Sequence, residues 1–191
     1  MLAGYCAILK LLDKGDGMNE EIKQAFDALE VLRDDYFKTD EFNGDIHKRV
    51  QTDKWSIGEV IYHCYLLVKL TRHGSAVYLP VSRLLMKIGT FRAGEYNGEM
   101  KNIYAGPTMK APKILEPEMD RRYSKGELRL MLEEETDKLK KLVQNLTDDE
   151  AYTIRYPDPI PDYPNVVQTV KLLLIHERHH YKVLMERERS N

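Results

Sequence analysis

The segment IHERHHY, residues 175–181, carries three of the six histidines in this 191-residue chain. It fits H-E-x-x-H, a pattern in which a zinc protease places two histidine ligands and a general-base glutamate on one helix. The same histidines could also belong to another kind of metal site, because imidazole nitrogens bind divalent ions such as zinc in several arrangements. The position of a third ligand distinguishes these two interpretations.

The protease interpretation fails because no third ligand follows the motif. Only eleven residues lie after His180. The extended metzincin pattern would need a glycine at the position of Val183 and a histidine at the position of Glu186, and neither is present. Any third ligand must therefore come from an earlier part of the chain.

Helical spacing selects the histidines that can act together. At 100° per residue, His176 and His180 lie one turn apart near the edge of an apolar stripe, whereas His179 lies on the opposite face and is expected to face solvent. The members of this stripe are Val166, Val170, Leu173, Leu174, Tyr181 and Leu184. Upstream, His63 borders the inward face of an earlier helix. We therefore predict that His63, His176 and His180 converge.

Three histidines from two helices can hold a divalent ion and leave one coordination position open. The alternative is that His63 is an ordinary half-buried histidine and the later pair a coincidence, but the shared inward register favours a metal site. Two carboxylates are weaker catalytic candidates. Glu177, near the middle of the stripe, could be a base or could pair with a cation on a neighbouring helix. Glu59 could orient His63, although a capping role already explains it.

Other side chains could contribute to binding. Cys64 directly follows the first of these histidines and points about 100° away from it, which favours a buried structural cysteine. Arg92, Tyr96 and Tyr104 lie in a long irregular segment and are weak candidates for binding substrate as part of a lid. The alternative for these three residues is that they pack the segment itself.

The elements that must position these residues are helices. Apolar residues at three- and four-residue steps predict a first helix near 20–38, capped by Asn19. Capping boxes predict further long helices that begin at Ser56, Ser124 and Asn165. Four long amphipathic helices without convincing strands indicate an all-α fold, a four-helix bundle.

A shorter helix is expected near 80–89, after the second long helix ends near residue 72. Pro80 would lie in its first turn, where the missing amide is tolerated. Its inward-facing residues would be Leu84, Leu85 and Ile88. From Gly89 to Tyr123, repeated glycines and prolines predict a long irregular excursion between the second and third long helices.

Composition and charge restrict the class of protein. The chain is 42% hydrophobic and 31% charged with a net charge of -2, which is typical of a globular domain and gives no sign of nucleic-acid binding. No stretch approaches the roughly 20 apolar residues of a membrane span. Two cysteines, Cys6 and Cys64, without C-x-x-C spacing favour a reducing compartment, so we expect a cytoplasmic protein. We assign residues 1–18 to an N-terminal extension, with Met18 as an alternative start, and residues 19–191 to one domain.

Two of these motifs resemble those of a known family. WSIGEVIYH resembles the W-S-x-x-E-x-x-x-H of the DinB-like (DinB/YfiT) superfamily, and HERHH is similar to its closing H-x-x-x-H. The order and approximate lengths of the elements from about 19 to 187 also agree, whereas the N-terminal extension departs from the family pattern. The resemblance implies a metal-binding four-helix bundle in which His63, His176 and His180 hold nickel or zinc.

The resemblance also implies an activity. The superfamily includes S-transferases and isomerases that use low-molecular-weight thiols such as bacillithiol or mycothiol, and other members are described as hydrolases. We therefore expect a metal-dependent transferase that activates a thiol for attack on a small electrophile, with a hydrolase less favoured. The alternative is a non-catalytic bundle in which the metal ion joins two helices and a protein partner or a homodimer carries the function.

Overall fold

The structure is a computed structural model, and it describes residues 17–89, 97–105, 110–159 and 162–190. Within these ranges the fold is all-α, as predicted. Its five α-helices are α1 (Glu20–Phe37), α2 (Ile57–Lys87), α3 (Lys125–Val143), α4 (Asp148–Thr153) and α5 (Val166–Arg189). Short 3₁₀ helices lie at Glu41–Asn43, Ile103–Ala105 and Lys113–Leu115. None of the described helices is both long and apolar enough to cross a membrane.

Side-chain caps start the four long helices where the sequence predicts them. Asn19 accepts hydrogen bonds from two backbone amides in the first turn of α1. The other three long helices each begin with a capping box, and the pairs are Ser56 with Glu59, Ser124 with Glu127, and Asn165 with Gln168. These bonds satisfy amides that a helix N-terminus otherwise leaves without a partner, so local sequence fixes where each helix begins.

The short helix α4 is not predicted by apolar spacing, since it has only six residues. It carries the same signal as the long helices, because Thr147 and Glu150 form a capping box at its start. That signal in the sequence was sufficient to identify it.

The apolar faces of the long helices share one core. α2 packs against α3, α1 packs against α5, and α2 also contacts α5. At one end of the core the rings of four residues cluster, with centroids 5.2 to 6.4 Å apart; they are Tyr36, Phe37, Phe42 and Tyr181. The contact between α2 and α5 brings the two histidine-bearing helices together.

The prediction of two helices between residues 56 and 89 is wrong, because α2 is one continuous helix of 31 residues. Pro80 lies inside this helix and not in a first turn. Proline removes the hydrogen bond to the carbonyl four residues earlier. Here Pro80 and Ala76 both lie on the exposed face, where water can bind the free carbonyl. The helix therefore continues through the proline.

The continuous helix also overturns the predicted orientation of its apolar residues. Leu79 and Ser82 are buried, and this phase turns Leu84 and Ile88 outward, with 62% and 69% of their surfaces exposed. Leu85 is only partly buried. We call the exposed apolar residues along this face of α2 the outer row; they are Leu70, Val77, Val81, Leu84 and Ile88.

Between α2 and α3 the structure describes residues 88–89, 97–105 and 110–124. We call residues 97–105 the strap. Arg92 and Tyr96, two of the candidate lid residues, lie outside the described residues. Residues 1–16, with Cys6, lie outside them as well.

Candidate metal centre

The structure brings three histidines from two helices into one cluster. α2 supplies His63, and α5 supplies His176 and His180. One ring nitrogen of each lies within 4.8 Å of the others. His63 and His176 are buried and His180 is partly buried, so the cluster has one less enclosed side. These are the three residues that the helical register selects.

His63 is held in one orientation by the chain between α2 and α3. Its Nδ1 lies 2.7 Å from the carbonyl oxygen of Leu115. Because a carbonyl only accepts hydrogen bonds, Nδ1 carries the proton and the lone pair of Nε2 is free. That Nε2 lies 3.1 Å from Nε2 of His176. The Trp55 ring packs against the His63 ring, with centroids 4.9 Å apart. A neutral ring thus presents an unprotonated nitrogen to the centre of the cluster.

The cluster favours neutral imidazoles. Burial lowers the pKa of His63. Burial, followed by the neighbouring histidines, lowers the pKa of His176 well below its usual value and that of His180 to about 3. Neutral imidazole is the form that binds a metal ion. In addition, Nδ1 of His176 is buried without a hydrogen-bond partner among the described atoms. The three residues fit a bound divalent ion, because one neutral ring nitrogen of each converges within 4.8 Å of the others.

Glu177 lies directly beside the cluster in sequence, but its carboxylate is bound elsewhere. Arg33 of α1 donates to both carboxylate oxygens, at 2.9 and 2.5 Å, and Tyr181 donates a third hydrogen bond at 3.2 Å. The Arg33 side chain is 3% exposed and that of Glu177 is 1% exposed. Arg33 also donates to Thr136 of α3 at 2.9 Å. The structure thus shows the cation partner that the sequence left open as an alternative to a base.

Arg33 is a residue that the sequence analysis missed. It interrupts the apolar face of α1 between Leu29 and Phe37, both of which are buried. A positive charge at an inward position needs a buried partner. The unexpected glutamate in the α5 stripe, Glu177, supplied the matching signal.

Glu59 is bound at the start of α2. Its carboxylate accepts a hydrogen bond from the backbone amide of Ser56 at 2.7 Å and pairs with Arg49, whose Nε lies 2.9 Å away. The cap and this ion pair account for its position. Cys64 is a fully buried free cysteine, as predicted.

Tyr104 of the strap lies at the cluster, and His179 is the residue that it contacts most closely. Their rings are stacked, with centroids 4.0 Å apart and an interplanar angle of 8°. The Tyr104 ring also lies 6.0 Å from the ring of His176 and 6.0 Å from that of His180. His179 is therefore half-buried and not fully exposed to solvent as expected, because a segment distant in sequence covers one face of its ring.

The sequence around this cluster matches that of a known family. The match to the DinB superfamily covers residues 28–184, which is most of the chain and includes all three histidines. The chain belongs to the DinB superfamily. No curated protein and no solved structure gives a significant match.

The structure agrees with DinB superfamily membership at the level of the helical fold and of a histidine cluster that could hold a metal ion. The matched range begins within α1, and ends within α5 after His180. Two contacts that orient the cluster have no simple signal in the sequence. They are the Leu115 carbonyl on His63 and the Tyr104 ring on His179, and both come from described residues between α2 and α3.

Proposed function

We propose that this DinB superfamily protein is an enzyme that uses a divalent ion, nickel or zinc, to transfer a low-molecular-weight thiol onto a small electrophile. His63, His176 and His180 would be the protein ligands. The observation that carries the proposal is the composition of the cluster: in the part of the chain that the structure describes, it contains three imidazoles and no carboxylate or thiolate. Three neutral ligands leave the charge of the ion uncompensated and one position open.

Such an ion would stabilise a thiolate at a pH where a free thiol, with a pKa of about 8.5, is mostly protonated. In the transfer, the thiol would release its proton to solvent, its sulfur would form a bond to the electrophilic carbon, and the leaving group would depart with its electron pair. The Leu115 carbonyl keeps the proton of His63 on Nδ1, so Nε2 remains available as a ligand.

The same geometry makes a hydrolase the less favoured activity. Hydrolysis benefits from a base beside the attacking water. The nearest carboxylate in sequence, that of Glu177, is bound by Arg33 and Tyr181. Thiol transfer needs no such base, because the thiolate itself is the nucleophile.

We further propose that the four long helices, α1, α2, α3 and α5, form the four-helix bundle of the superfamily. The substrate would be a small molecule, and neither nucleic acid nor a membrane would be a partner. The protein would act in the cytoplasm.

The metal site is tested by metal analysis of the purified protein and its variants. We expect one divalent ion per chain, with loss of the ion in His63→Ala, His176→Ala and His180→Ala. The exposed His73 provides the matched control, and His73→Ala should bind the ion normally. Full occupancy in His63→Ala would contradict the assignment of the α2 ligand.

The activity is tested with the metal-loaded protein, a generic haloaromatic electrophile, and a panel of bacillithiol, mycothiol, glutathione and cysteine. We expect conjugate formation with at least one thiol to fall at least tenfold in His180→Ala. Equal rates for the wild type and this variant across the panel, with metal loading of the wild type confirmed, would exclude the transferase.

A second candidate function is a non-catalytic bundle that acts as a homodimer. The outer row of α2 favours it, because residues 70, 77, 81, 84 and 88 follow the alternating three- and four-residue spacing of a helix that packs against another helix. The same face of a second copy would cover this row. Sedimentation velocity should then show a dimer that Val81→Lys disrupts, and a monomeric wild type would remove this candidate.

A further inference from the structure

The stack between Tyr104 and His179 joins the strap to α5 at the proposed metal site. An interplanar angle of 8° at 4.0 Å is close face-to-face packing between two aromatic rings. Such a contact contributes a measurable amount beyond the burial of area. It fixes the Tyr104 ring relative to α5, the helix that also carries His176 and His180.

The other end of the strap is bound to the beginning of the same helix. Asn165 donates to the carbonyl oxygen of Asn97 at 2.8 Å, and Gln168 donates to that of Glu99 at 3.0 Å. Lys171 donates to the carbonyl oxygen of Gly98 at 2.8 Å. Three side chains of α5 thus hold three consecutive carbonyls of the strap.

The two anchors of the strap lie along the same helix, α5. Glu99 and Tyr104 are five residues apart, which an extended chain covers in roughly 16 Å. Gln168 and His179 are eleven residues apart, and an α-helix also covers that separation in about 16 Å. Tyr104 itself lies in the 3₁₀ turn Ile103–Ala105, so a short piece of the strap joins its carbonyl anchor to its ring anchor on α5.

The Tyr104 ring lies beside the histidines of α5. Its ring is equally distant, at 6.0 Å, from the rings of His176 and His180. Burial raises the pKa of its phenol, with a smaller contribution from the Cys64 thiol. Of the three histidines in the cluster, His180 is the least buried. Tyr104 therefore lies beside both of the histidines that α5 contributes to the cluster.

We propose that Tyr104, held in place by His179, is a specificity-determining residue that limits the size of the ligand at the open metal position. This inference rests on the proposed metal site. Tyr104 acts by occupying space that a bulky thiol would need, and His179 is a positioning residue because it acts through Tyr104. A small thiol is admitted with the stack intact, whereas a large thiol binds only when the stack opens.

The test uses Co²⁺-loaded protein and two thiols of different size, 2-mercaptoethanol and glutathione. The near-ultraviolet absorbance of the cobalt–thiolate bond gives a Kd for each thiol, and the ratio of the two Kd values measures size selectivity without any catalytic turnover. We expect Tyr104→Ala and His179→Ala each to lower the ratio of the glutathione Kd to the 2-mercaptoethanol Kd by about three- to tenfold, the range expected for loss of an aromatic pair.

Conservative variants separate this role from a general structural one. Tyr104→Phe and His179→Phe keep two flat rings and should keep the wild-type ratio, and His73→Ala should leave it unchanged. If Tyr104→Ala does not fold, Tyr104→Leu takes its place, because leucine keeps apolar bulk without a flat ring.

An unchanged ratio in Tyr104→Ala with cobalt bound would overturn the size limit. A lower ratio in Tyr104→Ala but not in His179→Ala would overturn the role of the stack. Failure of the wild type to bind Co²⁺ would instead overturn the proposed metal site itself.

Discussion

The ion pair between Arg33 and Glu177 is the most enclosed pair of charges in the described part of the chain. Burial alone lowers the pKa of Arg33, but the charge and hydrogen bonds of Glu177 outweigh it, and the net effect raises that pKa. Thr136 and Tyr181 complete the hydrogen bonding. Through these bonds the pair links α1, α3 and α5, and Glu177 directly follows His176 in sequence.

Removal of one partner of this ion pair should therefore destabilise the fold much more than removal of both. We expect Arg33→Met to lower the free energy of unfolding by about 3–5 kcal/mol, because it leaves the Glu177 carboxylate buried without a cation. The double variant Arg33→Met with Glu177→Met should recover most of that loss. Urea denaturation followed by circular dichroism measures both.

The surface pair of Arg189 with Glu41 supplies a control, because the Arg189 side chain is 66% exposed. Arg189→Met should change stability little, since solvent screens exposed ion pairs. If Arg33→Met were no more damaging than Arg189→Met, the buried pair would not hold the three helices together.

At the scale of elements, Asn165 has two roles. Its Oδ1 accepts from the backbone amide of Gln168 at 2.8 Å, which caps α5, and its Nδ2 donates to the Asn97 carbonyl of the strap. The side chain is completely buried. One residue thus fixes the start of the helix that carries two of the histidines and the start of the strap that carries Tyr104.

We expect Asn165→Ala to cost about 2 kcal/mol of stability, roughly 1 for the lost cap and roughly 1 for the lost hydrogen bond to the strap. Ser124→Ala is the matched control, because Ser124 caps α3 and its side chain has no bond to the strap. It should cost only about 1 kcal/mol. Equal losses in the two variants, measured by thermal unfolding, would show that the strap gains nothing from Asn165.

Helix starts could be predicted from the sequence because caps are local. Asn19, Ser56, Ser124 and Asn165 each bind an amide two or three residues away, so a short window of sequence contains both partners. The course of α2 could not be predicted in this way. Whether a helix passes through Pro80 depends on solvent at the freed carbonyl and on distant residues that bind the helix on either side of the proline, such as Tyr156 at Ser75 and Glu150 at Arg83, and neither is encoded next to the proline.

The candidate site divides in the same manner. His63, His176 and His180 could be predicted because the helical register gives the direction of each side chain. The covering of His179 by Tyr104 could not, because those residues are 75 positions apart and joined by an irregular chain.

At the scale of the whole molecule, the histidine cluster couples stability to pH. Burial lowers the pKa of all three histidines, to about 3 for His180, whereas an unfolded histidine titrates near 6.5. Below pH 6.5 the unfolded chain therefore binds protons that the folded chain does not. The stability from these groups is fully present above pH 6.5 and is lost as the pH falls towards the folded pKa values.

For the metal-free protein we expect the free energy of unfolding to fall between pH 6.5 and pH 5, with a slope of up to about 1.4 kcal/mol per pH unit for each histidine. Urea denaturation at several pH values in the presence of a chelator measures the slope. His180→Gln should have a shallower slope than the wild type. An identical slope in this variant would mean that the pKa of His180 does not differ between the folded and the unfolded chain.

The strap is bound to α5 mostly through its own backbone carbonyls. Substitutions should therefore be tolerated more readily in the strap than at the donor positions on α5. Asn97, Gly98 and Glu99 each offer a carbonyl to α5, a group that every amino acid possesses, so the exposed side chain of Glu99 is free to vary. Gly98 is the exception, since a Cβ there would lie 3.0 Å from Val167 and closer still to Glu21. On α5, by contrast, the donors are side chains, and natural variation should be confined to residues that still donate at positions 165, 168 and 171.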